Sequence, residues 1–228
     1  MKEITKRFTK WISDKSPTQQ ITLSFLAVIL VGSFLLMLPI SNAEPLLPYI
    51  DYLFTSTSAV CVTGLSTLVV QTQFTVFGKV IMIILMQIGG LGLMTLIAIF
   101  LIYAEGKLSL STKVAMSEAV NRSNFDDFHH FIEAIIKYTI FFELIGFILL
   151  SIRFVPQYGL TDGLFNALFI SVSAFCNAGF DPFGANSLAM YVSDPLVILT
   201  AAGLIVTGGL GFGVWFDVSQ GSKLILRG

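Results

Sequence analysis

Long apolar runs alternate with polar stretches along the chain, and the run lengths set the first reading. A membrane-spanning helix takes about 20 residues. Ile21–Leu38 approaches that length and is stopped by Pro39, whose ring and missing N–H end a helix. Tyr52–Ser66, YLFTSTSAVCVTGLS, is apolar but too short to cross. Val80–Tyr103 is again of spanning length. The pattern then restarts: Phe131–Arg153 reads as a third span, Thr161–Asp181 as a second short segment and Pro195–Val218 as a fourth span. The expected fold is an all-α integral membrane protein with two tandem helix–loop–helix repeats. The divisions are an N-terminus at 1–20, a first repeat at 21–103, a linker at 104–130, a second repeat at 131–218 and a tail at 219–228.

The short segments are copies of each other. FTSTSAVCVTGL (Phe54–Leu65) aligns with FISVSAFCNAGF (Phe169–Phe180) at an offset of 115, keeping Phe, two Ser, Ala, Cys and Gly. GGLGLM (Gly89–Met94) is echoed by GGLGFG (Gly208–Gly213) at an offset of 119. A short re-entrant segment ending in Gly, flanked by spans and then repeated, is the layout of a cation-selective pore. Irregular backbone at membrane depth is tolerated where it is buried in protein or lines water. A short helix over Leu53–Ala59 would present its partly negative carbonyl end, and Cys61–Leu65 could run extended with carbonyls replacing a cation's water shell. Gly64 and Gly179 suit this because Gly readily takes left-handed angles. A kinked core helix with a packing glycine is the alternative for one copy; the repetition with matching flanks favours the pore loop. Gly89, Gly90 and Gly92 admit close helix packing, the preferred reading, or a hinge.

Composition agrees with the membrane class. Hydrophobic residues make up 55% and charged residues 12%, against about 25% charged in soluble domains. All lysines and arginines except Lys79 and Arg153 fall on one side if the N-terminus, the 104–130 linker with Lys137, and the tail are placed together. The positive-inside rule makes that side cytoplasmic, so both loops open outward in a multi-pass cell-membrane protein. Glu44, Asp51, Asp162, Asp181 and Asp194 then lie near the mouth, either as solvated acids, the preferred reading, or as cation attractors. The basic N-terminus carries a candidate amphipathic surface helix at Phe8, Trp11 and Ile12, and it shows no cleavable signal. Ser111–Asn121 looks helical and half buried. Cys61 and Cys176 read as buried small hydrophobes in preference to a disulfide. His129 and His130 are adjacent and make a poor metal pair. Glu143, deep in the third span, is either an ion ligand or, by slight preference, a structural acceptor for a neighbouring helix. No catalytic constellation, metal-ligand spacing or phosphate-binding loop is present, so no enzyme and no nucleic-acid partner is expected.

TSTSAVCVTGL with QTQFTVFGKVIMIILMQIGGLGLMT, LSIRFVPQYG, SAFCNAGFD and IVTGGLGFGVWFDV resembles the Trk/Ktr potassium-uptake family, and most closely its bacterial Ktr ion-translocating subunits. The resemblance implies potassium-channel-like membrane–pore–membrane repeats with one filter glycine each. Carried onto this sequence, the filter is Val62, Thr63, Gly64 and Leu65 in the first repeat and Asn177, Ala178, Gly179 and Phe180 in the second. It implies potassium uptake, passive or sodium-stimulated, with potassium as substrate and no bound cofactor. A Gly at the first filter position resembles potassium-favouring members; transport of another cation such as sodium is the alternative, as is a non-conducting remnant or regulatory partner. Implied partners are a cytosolic nucleotide-binding ring, a second copy of the chain and membrane lipid. Family chains carry four repeats where two are found here, which implies either a fragment, the preferred reading, or two chains completing one pore.

Overall fold

The computed structural model describes residues 17–92, 128–184, 186–212, 214, 215 and 218. The helix expected around Trp11, most of the 104–130 linker with its Ser111–Asn121 segment, and the tail lie outside the described residues.

Among the described residues the chain is all-helical, with one isolated antiparallel bridge between Asn42 and Phe74. Helix α1 is Pro17–Met37, α2 Tyr49–Val60, α3 Val76–Leu91, α4 Phe128–Tyr158, α5 Leu160–Phe175 and α6 Pro195–Gly209. Over Glu133–Tyr158, α4 is long and apolar enough to cross a membrane, with a mean hydropathy of 2.0. Ile21–Met37, Val76–Leu91, Leu160–Phe175 and Pro195–Gly209 are shorter apolar helices.

Polar and apolar groups are arranged as a bilayer demands. Leu30, Val31 and Phe34 on α1, Ile140, Phe141 and Ile148 on α4, and Leu199 and Val206 on α6 are exposed. Hydroxyls such as Ser33, Ser56 and Ser171 are buried instead. These three each find a backbone or side-chain partner: Ser56 Oγ donates to the Ile29 carbonyl at 2.8 Å, and Ser171 Oγ to the Glu143 carbonyl at 2.7 Å, whereas the buried Thr139 Oγ1 has none among the described residues. These bonds tie α2 to α1 and α5 to α4 at matching places. A glycine one turn along the outer helix makes each approach possible. A Cβ on Gly32 would lie 2.6 Å from Ser56 Oγ and 2.7 Å from Leu85; one on Gly146 would lie 2.6 Å from Ser171 Oγ and 2.5 Å from Leu204. The same small-residue contact thus recurs in both halves.

Element ends depart from the expected ones in several places. The first short helix covers Tyr49–Val60 and is longer than Leu53–Ala59; within it the Thr55 and Thr57 hydroxyls back-bond to the Asp51 and Leu53 carbonyls. Helix α4 runs past Arg153 to Tyr158, carrying Pro156 in its last turns, before Gly159 at φ +82 turns the chain into α5. The spans expected over Val80–Tyr103 and Pro195–Val218 do not run through their glycines as single helices. Helix α3 ends at Leu91 with Gly92 at φ +77, and α6 ends at Gly209 with Gly211 at φ +79. A residue in the left-handed region ends an α-helix, and glycine enters that region without steric cost.

At the Tyr158 end of α4, the 153–194 corner is closed by charge. Asp194 caps α6, its Oδ1 accepting from the Leu196 and Val197 amides, while Oδ2 accepts from Arg153 Nε at 2.5 Å. Arg153 holds the Asp194 carboxyl below the usual carboxylate range, chiefly through that hydrogen bond. Next to it, Phe154, Tyr158, Phe183 and Tyr191 pack ring on ring, with Tyr158 and Tyr191 hydroxyls 2.8 Å apart.

Candidate functional site

Helices α2 and α5 end in the same backbone conformation, which builds two short loops facing each other. After α2, the Cys61 amide bonds to Thr57 and the Thr63 amide to Ser58; after α5, Cys176 bonds to Val172 and Ala178 to Ser173. Val62 at φ +57 and Asn177 at φ +58 are non-glycine residues in the left-handed region at equivalent positions. The loops therefore open with a tight turn and not with the extended run expected from Cys61. Two residues on, Gly64 and Gly179 both stand at φ +74, the left-handed conformation expected of them.

Of the eight predicted residues, Gly64 stands against Ala178 and Gly179 of the opposite loop. A Cβ on Gly64 would lie 3.0 Å from Gly179 Cα and 2.9 Å from the Ala178 carbonyl oxygen. A cavity of about 480 Å³ opens beside the pair, lined by Ser66, Thr67, Phe180 and Asp181 among others. Among the described residues no protein donor reaches the carbonyls of Val62, Thr63, Gly64, Leu65, Asn177, Ala178 or Gly179. The Phe180 carbonyl differs: Ser173 Oγ donates to it at 2.5 Å. The Asn177 side chain also turns aside, its Nδ2 donating to the Ile205 and Phe175 carbonyls at 3.3 and 3.4 Å.

The repeated glycine pairs hold the loops from below. A Cβ on Gly89 would collide with the Val60 carbonyl, and one on Gly208 with the Phe175 carbonyl, the last helical residue of α2 and α5 respectively. Gly90 similarly faces Cys176, 2.5 Å from where its own Cβ would stand. The close-packing reading of these glycines therefore holds, alongside the helix ends at Gly92 and Gly211.

A model of the TrkH family, described as cation transport proteins, matches residues 5–223. The chain belongs to the TrkH family. This TrkH chain is 42% identical over 214 residues to the Ktr system potassium uptake protein B of Bacillus subtilis strain 168, covering 94% of the chain and 47% of that relative. It is 44% identical over 198 residues to the Ktr system potassium uptake protein B of Vibrio alginolyticus, covering 87% and 43%. Against the potassium/sodium uptake protein NtpJ of Enterococcus hirae it is 39% identical over 204 residues, covering 89% and 45%. The TrkH chain spans about half the length of the curated relatives it matches. The family is one of membrane cation transporters and not of enzymes, and the helices here are of membrane type.

Other residues singled out in the TrkH chain fall into place around the loops. Cys176 is buried and Cys61 exposed, and both are free, so the buried reading holds for one of the two. The Cys176 thiol donates to Gln87 Oε1 at 3.4 Å. The Glu143 carbonyl accepts from Ser171 Oγ, while its Oε1 has no partner among the described residues. Of the acids expected near the mouth, Asp181 borders the cavity and accepts from the Phe183 amide. Asp51 accepts from Thr67 Oγ1. Asp194 is taken by Arg153 and the α6 cap. Sequence reasoning missed the part played by Ser58 and Ser173; their identity in both copies was the available signal.

Proposed function

We propose that the chain contributes two loops of a potassium-selective, channel-like pathway for uptake across the cell membrane. The observation that carries this reading is the pair of loops at matched helix ends, whose carbonyls, that of Phe180 excepted, lack protein donors among the described residues. Carbonyls without donors at membrane depth are costly unless water or an ion takes them. The carbonyl ends of α2 and α5 carry partial negative charge toward the loops, which favours a cation there and disfavours an anion. Val62, Thr63, Gly64, Leu65, Asn177, Ala178, Gly179 and Phe180 are the filter backbone in this reading. Each helix–loop–helix unit, 21–103 and 131–218, is one pore repeat.

The N-terminus, the 104–130 linker and the tail face the cytoplasm, by the distribution of lysine and arginine. A cytosolic nucleotide-binding ring docks on that side, and a second copy of the chain pairs with this one. The printed names of the Bacillus and Vibrio relatives, which speak of a Ktr system, support a multi-component assembly. Sodium transport is the second reading, favoured by the potassium/sodium uptake name of the Enterococcus relative.

Flux into liposomes tests the proposal. Uptake of labelled rubidium as a potassium surrogate, competed by potassium and little affected by sodium, is the expected result. Equal competition by sodium favours the second reading, and absence of any cation flux from the intact protein overturns both.

A further inference from the structure

Ser58 and Ser173 occupy equivalent places behind the two loops, both buried, yet their hydrogen bonds run in opposite senses. Ser58 Oγ accepts from the Leu65 amide and from Thr63 Oγ1, each at 2.8 Å. Two donors occupy its two lone pairs. In the second loop Ala178 stands where Thr63 stands in the first, so no hydroxyl reaches Ser173. Its own O–H turns instead to the Phe180 carbonyl at 2.5 Å. The Leu65 carbonyl, the counterpart of Phe180's, has no protein donor among the described residues.

We propose that Ser58 and Ser173 are positioning residues that make the outermost ion position unequal: Leu65 offers its carbonyl to the ion and Phe180 does not. The Thr63/Ala178 difference sets the two senses. This inference rests on the filter reading above. An ion at the outer position keeps more of its water on the Phe180 side, which weakens binding there and eases exit, since conduction requires sites that release the ion.

The test is rubidium uptake by the intact protein in liposomes, read as KM. Ser173→Ala releases the Phe180 carbonyl toward the ion and lowers KM about threefold to tenfold, the equivalent of one net hydrogen bond. Ala178→Thr supplies the missing hydroxyl to Ser173 and lowers KM in the same way, and it serves where Ser173→Ala fails to fold. Ser58→Ala leaves the Leu65 amide without its acceptor, loosens the loop and raises KM. Ser171→Ala removes a buried hydroxyl from the same helix that bonds to Glu143 and not to the loop, and leaves KM unchanged. Opposite shifts at the two serines with a silent Ser171 bear the inference out. Shifts in one direction at both serines, or a Ser171 effect equal to that of Ser173, overturn it. Unaltered KM in every variant of a protein that does take up rubidium sinks this inference alone; loss of all flux in the parent protein sinks the filter reading with it.

Discussion

Gly64 and Gly179 meet back to back: a Cβ on Gly179 would stand 3.1 Å from Gly64 Cα, and one on Gly64 3.0 Å from Gly179 Cα. Both sit at φ +74. Two requirements coincide at each position, since a side chain would be strained by the backbone and obstructed by the opposite loop. A glycine needed for only one of these reasons could be replaced at modest cost, whereas here neither relaxation relieves the other.

Gly64→Ser is therefore expected to displace the Gly64–Gly179 contact and to weaken preference for potassium over sodium. Growth of an uptake-deficient strain on low potassium, with and without high sodium, reads this out in the intact protein. Growth that matches the parent at high sodium would falsify the placement of Gly64 in the filter. Thermal unfolding in detergent runs in parallel and distinguishes altered selectivity from a protein that no longer folds.

Gly208→Ala tests the support beneath the second loop. Its Cβ would collide with the Phe175 carbonyl, and overpacking of this kind costs about 1–3 kcal/mol. Gly203→Ala on the same helix meets nothing within 4 Å and removes a helix-interior glycine, which stabilises by about 0.5–1 kcal/mol. The melting temperature should fall for the first and hold or rise for the second. Equal behaviour of the two variants rules out Gly208 as the contact that seats the loop.

The two loops were legible because repetition marks them twice, at Phe54–Leu65 and at Phe169–Phe180, and because a glycine at a helix end has a local conformational cause. The ends of α3 and α6 were not. The apolar pattern runs on through Gly92 and Gly211 without a polar break, so nothing in hydropathy marks the stop. It comes from the backbone angles of two glycines, Gly92 at φ +77 and Gly211 at φ +79, which hydropathy does not record. Arg153 similarly gave no sign of its partner, since Asp194 lies 41 positions away and only the α4–α6 corner brings them together. The opposed senses of Ser58 and Ser173 were hidden by their identity. What differs is the neighbour two residues before the loop's outer end, Thr63 or Ala178, and its effect depends on a hydroxyl reaching across a turn.

The Arg153–Asp194 pair makes stability depend on acid. The Asp194 carboxyl titrates below its usual value in the folded chain, against about 3.9 in an unfolded one. Its contribution is therefore complete above about pH 4 and is lost as pH falls through the lower folded value. Asp194→Asn keeps an oxygen for the α6 cap but removes the charge facing Arg153. It should lower the melting temperature at neutral pH and flatten its decline below about pH 4. Parallel melting curves for parent and variant across that range sink the assignment. High salt should narrow the neutral-pH difference, because the Arg153 side chain is 45% exposed and open to screening.

A potassium ion gives up its water only where oxygens surround it, as rings of backbone carbonyls do in potassium channels. In the proposed pathway two loops supply those carbonyls, and they meet at Gly64 and Gly179. Two adjoining loops can line part of a ring around an ion; the remaining sides must come from further backbone. Left facing lipid, carbonyls without donors cost several kcal/mol each. Residues 1–228 purified as a monomer are therefore expected to carry no potassium or rubidium in liposomes and to aggregate readily. Flux is expected only from a species in which additional loops complete the ring, whether from a second copy or from a longer chain. Native mass spectrometry of the reconstituted protein, paired with rubidium uptake, decides the matter: robust uptake by a species of monomer mass would show that two loops suffice.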